Sequence, residues 1–358
     1  MDAERAGRRM RDSLIGDVPP IVIAIGLLVL CLGLMASKGI VFGLSIVSLH
    51  AQLILFSMLV MLAIDVLWQL WKHRPAAPVA HLKAHYLTPR QYAHIGSRLP
   101  MLFVFIVFMP FFSKMKGMIP LFNDYTWDET FIAWDQALFF GHDAWEVIQP
   151  IFGYPYVTAF LALLYHLWFL LIYPGCVFFC FYRVDPLTRR RFFLSFVLCW
   201  TLIGGAMATA FASVGPCFLE PLFGNPRFAP QMAYLNAANE QVPVMTLHVQ
   251  QMLLEWFNTD ARGLGSGITA MPSMHISMAF IYVLAMRHVS RRAAQAFFAF
   301  FVAIFIGSVH LAYHYAVDGI VAVAATGAIW WGSKHLFAWW DRRQHARFAP
   351  DAAQPALV

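Results

Sequence analysis

Long apolar runs alternate with short polar turns along most of this chain. A helix needs about 20 residues to cross the roughly 30 Å hydrocarbon core of a bilayer. Eight runs reach or approach that length: residues 20–37, 48–71, 99–122, 156–182, 192–214, 271–286, 293–311 and 317–337. The pattern predicts an all-α fold, a polytopic membrane bundle of about eight transmembrane helices, of which the sixth is the shortest.

The basic residues are concentrated in alternate turns between these runs. Most of the 25 Lys and Arg residues lie in the N-terminal tail and in residues 72–98, 183–191, 287–292 and 334–347. Because turns rich in Lys and Arg stay on the cytoplasmic side of a membrane, both termini are predicted to be cytoplasmic. No small-residue cleavage site is clear after the first apolar run, so we interpret it as a retained span and not as a signal peptide.

The composition agrees with a membrane protein. Hydrophobic residues make up 60% of the chain and charged residues 12%, about half the charged share of a soluble domain. The net charge of +6 does not indicate a nucleic-acid partner, because the turns between spans account for it. The five cysteines show no metal-ligand spacing, and neither a metal nor a cofactor is expected.

Two long loops are predicted on the outer side. Residues 123–155 contain an amphipathic stretch, 127–139, which predicts a helix lying at the membrane interface. The second loop, 215–270, is of a length that is uncommon unless the loop has a function, such as covering a site. We divide the chain into N-terminal accessory transmembrane helices (1–122), a catalytic membrane domain (123–340) and a cytoplasmic tail (341–358).

The pair His314 and Asp318 lies at the outer end of the last run. Residues four positions apart on a helix share one face, so the carboxylate can hold one imidazole nitrogen and leave the other free as a nucleophile or base. Taken alone, Asp318 is explained equally well as the capping residue of the last helix.

The stretch Pro272-Ser273-Met274-His275 opens the sixth run. Ser273 and the free N–H groups of a first helical turn suit an anion such as phosphate, and His275 could protonate a leaving oxygen. A capped helix with a histidine at the interface is the alternative. If the hairpin between residues 271 and 311 crosses the membrane and returns, this stretch and His314 reach the same membrane face.

A glycine–proline pair stands at the outer end of the fifth run. Gly215 and Pro216 would break the helix there and let the backbone approach a ligand. An ordinary span terminator is the alternative.

These motifs resemble the signatures of the type 2 phosphatidic acid phosphatase superfamily. The Pro272-Ser273-Met274-His275 stretch is similar to its second signature, and the His314…Asp318 pair to its third. The sequence around His314 most resembles that of the inositol phosphorylceramide synthase branch and its bacterial relatives. That branch also tends to show an Asp-x-x-Leu-Phe element like residues 135–139 and a Gly-Pro element like Gly215-Pro216. The resemblance covers about residues 135–327.

The resemblance implies a reaction mechanism and a class of substrates. His314 would attack phosphorus to form a phosphohistidine, Asp318 would orient His314 and stabilise its charge, and His275 would protonate the leaving group and then activate water or an alcohol. Ser273 would hold phosphate oxygens. The chain would then be a phosphatase or phosphotransferase of lipid metabolism, with sphingolipid synthesis as the activity of the nearest branch.

Two cations of the superfamily pattern are missing from the sequence. The first signature, a Lys six residues before Arg-Pro, is absent, and Ser308 stands where many members carry an Arg. The synthase branch also lacks both. Since some group must offset phosphoryl charge, Arg262 and His310 are the candidates; a solvated loop charge and an interfacial histidine are their respective alternatives.

The leading functional hypothesis is an enzyme that cleaves or transfers a phosphate ester of a lipid at the outer membrane face. A polyprenyl-pyrophosphate phosphatase is the alternative with the same chemistry. A catalytically silent lipid-binding or transport protein is less favoured, because transporters place ionisable groups near mid-membrane. The Arg- and Ala-rich turns suggest a bacterial inner membrane with a periplasmic site. The expected partners are the bilayer and a phospholipid or polyprenyl phosphate; the oligomeric state stays open.

Overall fold

The protein is a bundle of long helices. A computed structural model describes residues 2–40, 45–182, 184–259 and 267–348, and no β-strand occurs among them. Seven described helices are long and apolar enough to cross a membrane, and the shorter apolar helix Met274–Met286 accompanies them. These helices confirm the prediction of an all-α polytopic membrane bundle.

In the first part of the chain, the helices extend beyond the apolar runs. Its helices are α1 (Asp2–Ser37), α2 (Ser45–His73), α3 (Pro78–Tyr86) and α4 (Pro89–Lys116). Helix α4 begins ten residues before the predicted span because Thr88 caps it, its side chain accepting from the Gln91 N–H, and Pro89 occupies its first position. Hydropathy identifies only the part of a helix that suits the hydrocarbon core. Polar turns extend the helix beyond that part.

Short helices fill both loops that were predicted on the outer side. The middle of the chain contains α5 (Asp128–Leu138), α6 (Ala144–Phe152), α7 (Pro155–Phe181), α8 (Pro186–Leu198), a π-helix (Cys199–Met207), α9 (Ala208–Ala210), α10 (Pro216–Phe223), α11 (Ala229–Gln241) and α12 (Met245–Thr259). The predicted helix at 127–139 is therefore present as α5. Its buried side chains include Asp128, Phe131 and Asp135, so one face of α5 packs into the protein.

The last three helices carry the two histidine motifs. They are α13 (Met274–Met286), α14 (Arg291–His310) and α15 (Ala316–Phe348). Helix α15 continues without a break beyond residue 340, where the sequence predicted a separate tail. The start of α13 and the turn between α14 and α15 lie at the same end of the bundle, because the Ser273 N–H donates to the Asp318 carbonyl at 3.3 Å.

At the other end of the bundle, the first helix and the last helix are in contact. Near the start of the chain, the Ile15 carbonyl in α1 accepts from Trp340 Nε1 in α15 at 3.1 Å. Beside it, Arg190 at the start of α8 pairs with Asp341 at 2.9 Å. The early part of α1 and the late part of α15 therefore lie at the end of the bundle that carries the basic turns. That this end is cytoplasmic stays a prediction from the charge pattern.

Candidate active site

His314 lies in the short turn between α14 and α15, next to a buried carboxylate. Its Nδ1 is 3.1 Å from Asp318 Oδ2, which also accepts from the Tyr315 N–H at 3.1 Å. Asp318 is fully buried and His314 nearly so. An ionised carboxylate can only accept, so pairing with ionised Asp318 puts the imidazole proton on Nδ1 and leaves the lone pair on Nε2.

Helix α5 supplies two carboxylates that hold this turn in place. Asp135 accepts from the N–H groups of Ala316 and Val317, at 2.8 and 2.9 Å, and so caps the start of α15. Burial raises the pKa of Asp135 to about 6, although these two backbone N–H groups work in the opposite direction. The Asp-x-x-Leu-Phe element noted in the sequence therefore positions the helix that carries Asp318.

The second carboxylate of α5 ties the turn to the loop after α9. Asp128 accepts from the backbone N–H groups of Val214 and Gly215 and from the hydroxyl of Tyr315. Because Tyr315 follows His314 directly, Asp128 fixes the histidine turn from one side. Sequence reasoning missed Asp128, since nothing in its local pattern separates it from a solvated loop acid.

His275 is the second residue of α13 and is clamped between two aromatic rings. Its ring lies 4.0 Å from the ring of Tyr165 and 4.0 Å from that of Trp168, measured between centroids, and both pairs are stacked. Its Nε2 is buried and has no hydrogen-bond partner among the described residues. The aromatic faces fix the orientation of the imidazole. A fixed imidazole with an unpaired ring nitrogen can exchange a proton with a group that reaches it.

His275 and His314 line the same cavity, which we call the histidine cavity. Its volume is about 140 Å³. Several lining side chains carry buried polar atoms without a hydrogen-bond partner among the described residues: Tyr165 Oη, Trp168 Nε1, Trp200 Nε1, Thr269 Oγ1 and His275 Nε2. Buried polar groups are rarely left unpaired. Four of these atoms can donate without a change of protonation, so the wall suits a ligand rich in acceptor oxygens.

Lys116, the last residue of α4, is the Lys or Arg residue that lines this wall within the described part of the chain. It lines the histidine cavity and acts electrostatically on both His275 and His314. Burial first, and then the charge of Lys116, lower the pKa of His314 to about 3, while a hydrogen bond with the Ala270 backbone raises it in part. His314 is therefore neutral near pH 7. Sequence reasoning missed Lys116 as a site residue.

Three predicted site residues lie beside the cavity without lining it. Ser273 is fully buried, its hydroxyl has no partner among the described residues, and its backbone N–H binds Asp318. Gly215 has φ +86°, and a Cβ there would lie 2.5 Å from the Tyr313 carbonyl oxygen; Pro216 follows it as the first residue of α10. These residues pack the loops around His314.

His310 and Arg262 are the two candidates for the missing cation, and the structure describes only the first. His310 ends α14, is buried, and pairs through Nε2 with Thr158 Oγ1 at 2.9 Å; it does not line the histidine cavity. Arg262 lies outside the described residues. Within the described part, Lys116 and not His310 brings positive charge to the two histidines.

Gly215→Ala is expected to lower both stability and turnover. An alanine there is strained at positive φ and clashes with the Tyr313 backbone, and overpacking of this kind costs about 1–3 kcal/mol. The displaced turn carries His314. The control is Gly224→Ala, where φ is +68° but nothing lies within 4 Å of an added Cβ. Thermal unfolding and turnover of both variants test this, and equal turnover in the two would contradict the packing role of Gly215.

The fold and the cavity together define a polytopic membrane protein with a buried His–Asp pair facing a second histidine. A sequence model of the PAP2 superfamily matches residues 129–332, more than half of the chain, so the chain belongs to this superfamily. No curated protein and no solved structure matches it. The superfamily predicted from the motifs is confirmed, and membership indicates phosphatase or phosphotransferase activity in general. The synthase-like branch stays a prediction.

Proposed function

We propose that this protein is a membrane lipid phosphatase or phosphotransferase that works through a phosphohistidine on His314. The observation that carries the proposal is the histidine cavity itself. There His314, which pairs with Asp318, lies with the clamped His275 and with Lys116 around one space of about 140 Å³. These are a nucleophile with its orienting carboxylate, a proton donor and a cation for phosphoryl charge.

In the first half of the proposed reaction, Nε2 of His314 attacks the phosphorus of the lipid phosphate ester. The P–N bond forms as the P–O bond to the lipid alcohol breaks, and His275 gives its proton to the departing oxygen. Asp318 stabilises the positive charge that develops on His314. Lys116 and the unpaired donors of Tyr165 and Thr269 face the charge on the phosphoryl oxygens.

In the second half, an acceptor hydroxyl replaces His314 on phosphorus. His275, now neutral, takes the proton of water or of a lipid alcohol, and the new P–O bond forms as the P–N bond breaks. Water gives hydrolysis and an alcohol gives transfer. The protonated His275 and the neutral His314 that remain are the starting state, so the cycle balances.

The lining of the histidine cavity supports an amphiphilic substrate. Apolar and aromatic side chains form much of its wall, among them Met109, Phe112, Phe169, Ile172, Met252 and Leu253. A chain of methylene groups gains about 0.8 kcal/mol for each group buried against such a wall. We place the substrate in the leaflet opposite the basic turns, which in a bacterial inner membrane is the periplasmic leaflet.

The synthase-like branch is supported by where its two shared elements lie. Asp135 accepts from the backbone at the start of α15, Gly215 lies against the Tyr313 carbonyl, and neither residue lines the cavity. Both elements therefore fit a common scaffold for the nucleophile. The proposal for this branch is transfer of the phosphoryl group to a lipid alcohol in preference to water.

A substrate panel separates the possible reactions. Purified protein is given a phosphatidic acid, a polyprenyl pyrophosphate, and a phosphoinositol lipid with a ceramide, and the products are resolved by thin-layer chromatography and phosphate release. A new phosphorylated lipid that forms only with the acceptor supports the synthase-like branch. Phosphate released only from the polyprenyl substrate favours the alternative. No turnover of any phosphorylated lipid would contradict the proposal.

The pH dependence of turnover follows from the environment of His314. A histidine with a pKa near 3 stays unprotonated from about pH 5 to 8, so protonation of His314 should not lower kcat/KM in that range. Lys116→Met removes a positive charge that lowers this pKa, so the acid limb assigned to His314 should move to higher pH. Profiles of kcat/KM for a short-chain substrate test this. An acid limb near pH 6.5 that moves with substitutions around His314 would contradict it.

A further inference from the structure

A second and larger cavity lies at the opposite end of the bundle, and we call it the arginine cavity. Its volume is about 860 Å³, and it is bordered by the early part of α1, the starts of α4 and α8 and the end of α15. Arg98 and Lys116 are both on α4, and at 1.5 Å per residue they are about 27 Å apart. The arginine cavity is therefore separate from the histidine cavity.

The lining of this cavity is strongly basic. Its arginines are Arg9, Arg11, Arg90, Arg98, Arg189 and Arg190, and its acidic lining residues in the described part of the chain are Asp12 and Asp341. These two carboxylates are already used, since Asp12 is 3.7 Å from Arg11 and Asp341 pairs with Arg190. The remaining arginines are left in excess over the acidic side chains that line the cavity.

Two of these guanidinium groups are buried and only partly satisfied. Arg189 is 1% exposed and donates through Nη2 to both oxygens of Asp17, but its Nε and Nη1 have no partner among the described residues. Arg98 is 8% exposed and donates through Nη1 to Ser13 Oγ at 2.6 Å, while its Nε has no described partner. The two groups interact electrostatically with one another and with Asp17.

An excess positive charge is therefore buried in this wall. A guanidinium stays protonated in proteins, and a buried charge is costly unless it is paired and hydrogen-bonded. Two arginines around one carboxylate leave one charge without a counterion. Phosphate oxygens, like those of a carboxylate, match the fork geometry of a guanidinium.

We propose that the arginine cavity binds the phosphate group of an anionic phospholipid from the leaflet opposite the histidine cavity. The cavity opens where helix ends meet, at the end of the bundle that the basic turns predict to be cytoplasmic. Anionic lipid headgroups concentrate at that surface and occupy basic pockets between membrane helices. The site needs no turnover, so it stands independently of the proposed reaction. A free phosphate ion shares the recognition chemistry and is the other source to test.

Thermal unfolding of the purified protein in a nonionic detergent tests this site. The probes are short-chain phosphatidylglycerol, short-chain phosphatidylcholine and inorganic phosphate, each titrated separately. Phosphatidylglycerol is expected to raise Tm, and phosphatidylcholine is not. A Tm increase from inorganic phosphate that phosphatidylglycerol does not exceed would assign the cavity to the free ion instead of the lipid.

Variants locate the effect in the arginine cavity. Each basic residue near a membrane surface contributes roughly fivefold in affinity for anionic lipid. The double variant Arg9→Gln, Arg90→Gln should therefore bind phosphatidylglycerol on the order of 25-fold more weakly. Arg98→Gln should abolish the stabilisation by phosphatidylglycerol. If Arg98→Gln does not fold, the double variant Arg9→Gln, Arg90→Gln at the exposed rim still tests the site. The control is Arg343→Gln, an exposed arginine over the Trp339 ring at the same end of α15.

The position of the ligand is checked against the other cavity. Lys116→Met alters the histidine cavity and should leave the phosphatidylglycerol titration unchanged. An unchanged titration in the Arg9→Gln, Arg90→Gln variant, or an increase in Tm with phosphatidylcholine equal to that with phosphatidylglycerol, would overturn the proposal.

Discussion

Replacing His314 with asparagine is expected to reduce kcat by about 10³- to 10⁵-fold. Asparagine keeps much of the volume and a donor toward Asp318, but it offers no nucleophilic nitrogen to phosphorus. Loss of a covalent nucleophile removes a whole step of the reaction and not one contact within it. The measurement is turnover of the best lipid substrate, with Tm recorded for the same sample.

The matched control for this substitution is His310→Asn. His310 is also a buried histidine in the same part of the chain, and it pairs with Thr158 outside the histidine cavity. Its substitution should lower Tm and keep turnover within about tenfold of the wild type. Equal losses of turnover in the two variants at similar Tm would show that burial, and not nucleophilicity, explains the effect of His314.

Replacing Lys116 with methionine is expected to lower kcat/KM by about 10²- to 10³-fold. This is the usual loss when one preorganised group that stabilises developing negative charge is removed from a buried site. Methionine preserves most of the length and apolar volume, so the loss reports the charge. Lys116→Arg keeps the charge with a different geometry and should recover part of the activity.

Lys114 is the control for Lys116, two residues earlier in the last turn of α4. Lys114 does not line the histidine cavity, so Lys114→Met removes the same net charge from the same helix end. Turnover of Lys114→Met should stay close to that of the wild type. If both methionine variants lose activity equally, the effect is a general one of charge at this surface and Lys116 has no special part in it.

The sequence was sufficient to predict the helices because a bilayer imposes one simple requirement on each. Every predicted apolar run contains or overlaps a helix of the structure. The errors lie at helix ends, as at α1, which begins at Asp2 instead of near residue 20. Polar turns outside the hydrocarbon are unconstrained by hydropathy, so their conformation depends on caps and on tertiary contacts.

The grouping of His275, His314 and Asp318 could also be predicted from the sequence. A helical spacing of four joins His314 to Asp318, and a single membrane hairpin brings His275 to the same face. Both arguments use local geometry and topology alone. The structure places the two histidines on one cavity, as predicted; the chemical roles of all three residues stay predictions.

Lys116 and Ser273 show where sequence reasoning stops. Lys116 is far from either histidine along the chain and lies before the segment that matches the superfamily, so only the packing of α4 brings it to the cavity. Part of that packing is the approach of Phe112 and Met274 to Gly204, where an added Cβ would lie 2.9 Å from each. The phosphate-binding role of Ser273 stays a prediction: its N–H donates to the Asp318 carbonyl, and its buried hydroxyl has no partner among the described residues. Side-chain direction at a helix start depends on such contacts.

The most direct test of the account is to trap the phosphoryl group on the protein. A labelled lipid phosphate with a good leaving group does not need a proton from His275 to react, whereas release of the phosphoryl group still needs His275 as a base. We therefore predict that a His275→Ala variant accumulates an acid-labile, base-stable phosphate, and that peptide mapping at alkaline pH places it on His314. Absence of such a label, or its presence on any other residue, would contradict the claim that His275 and His314 act on one phosphoryl group.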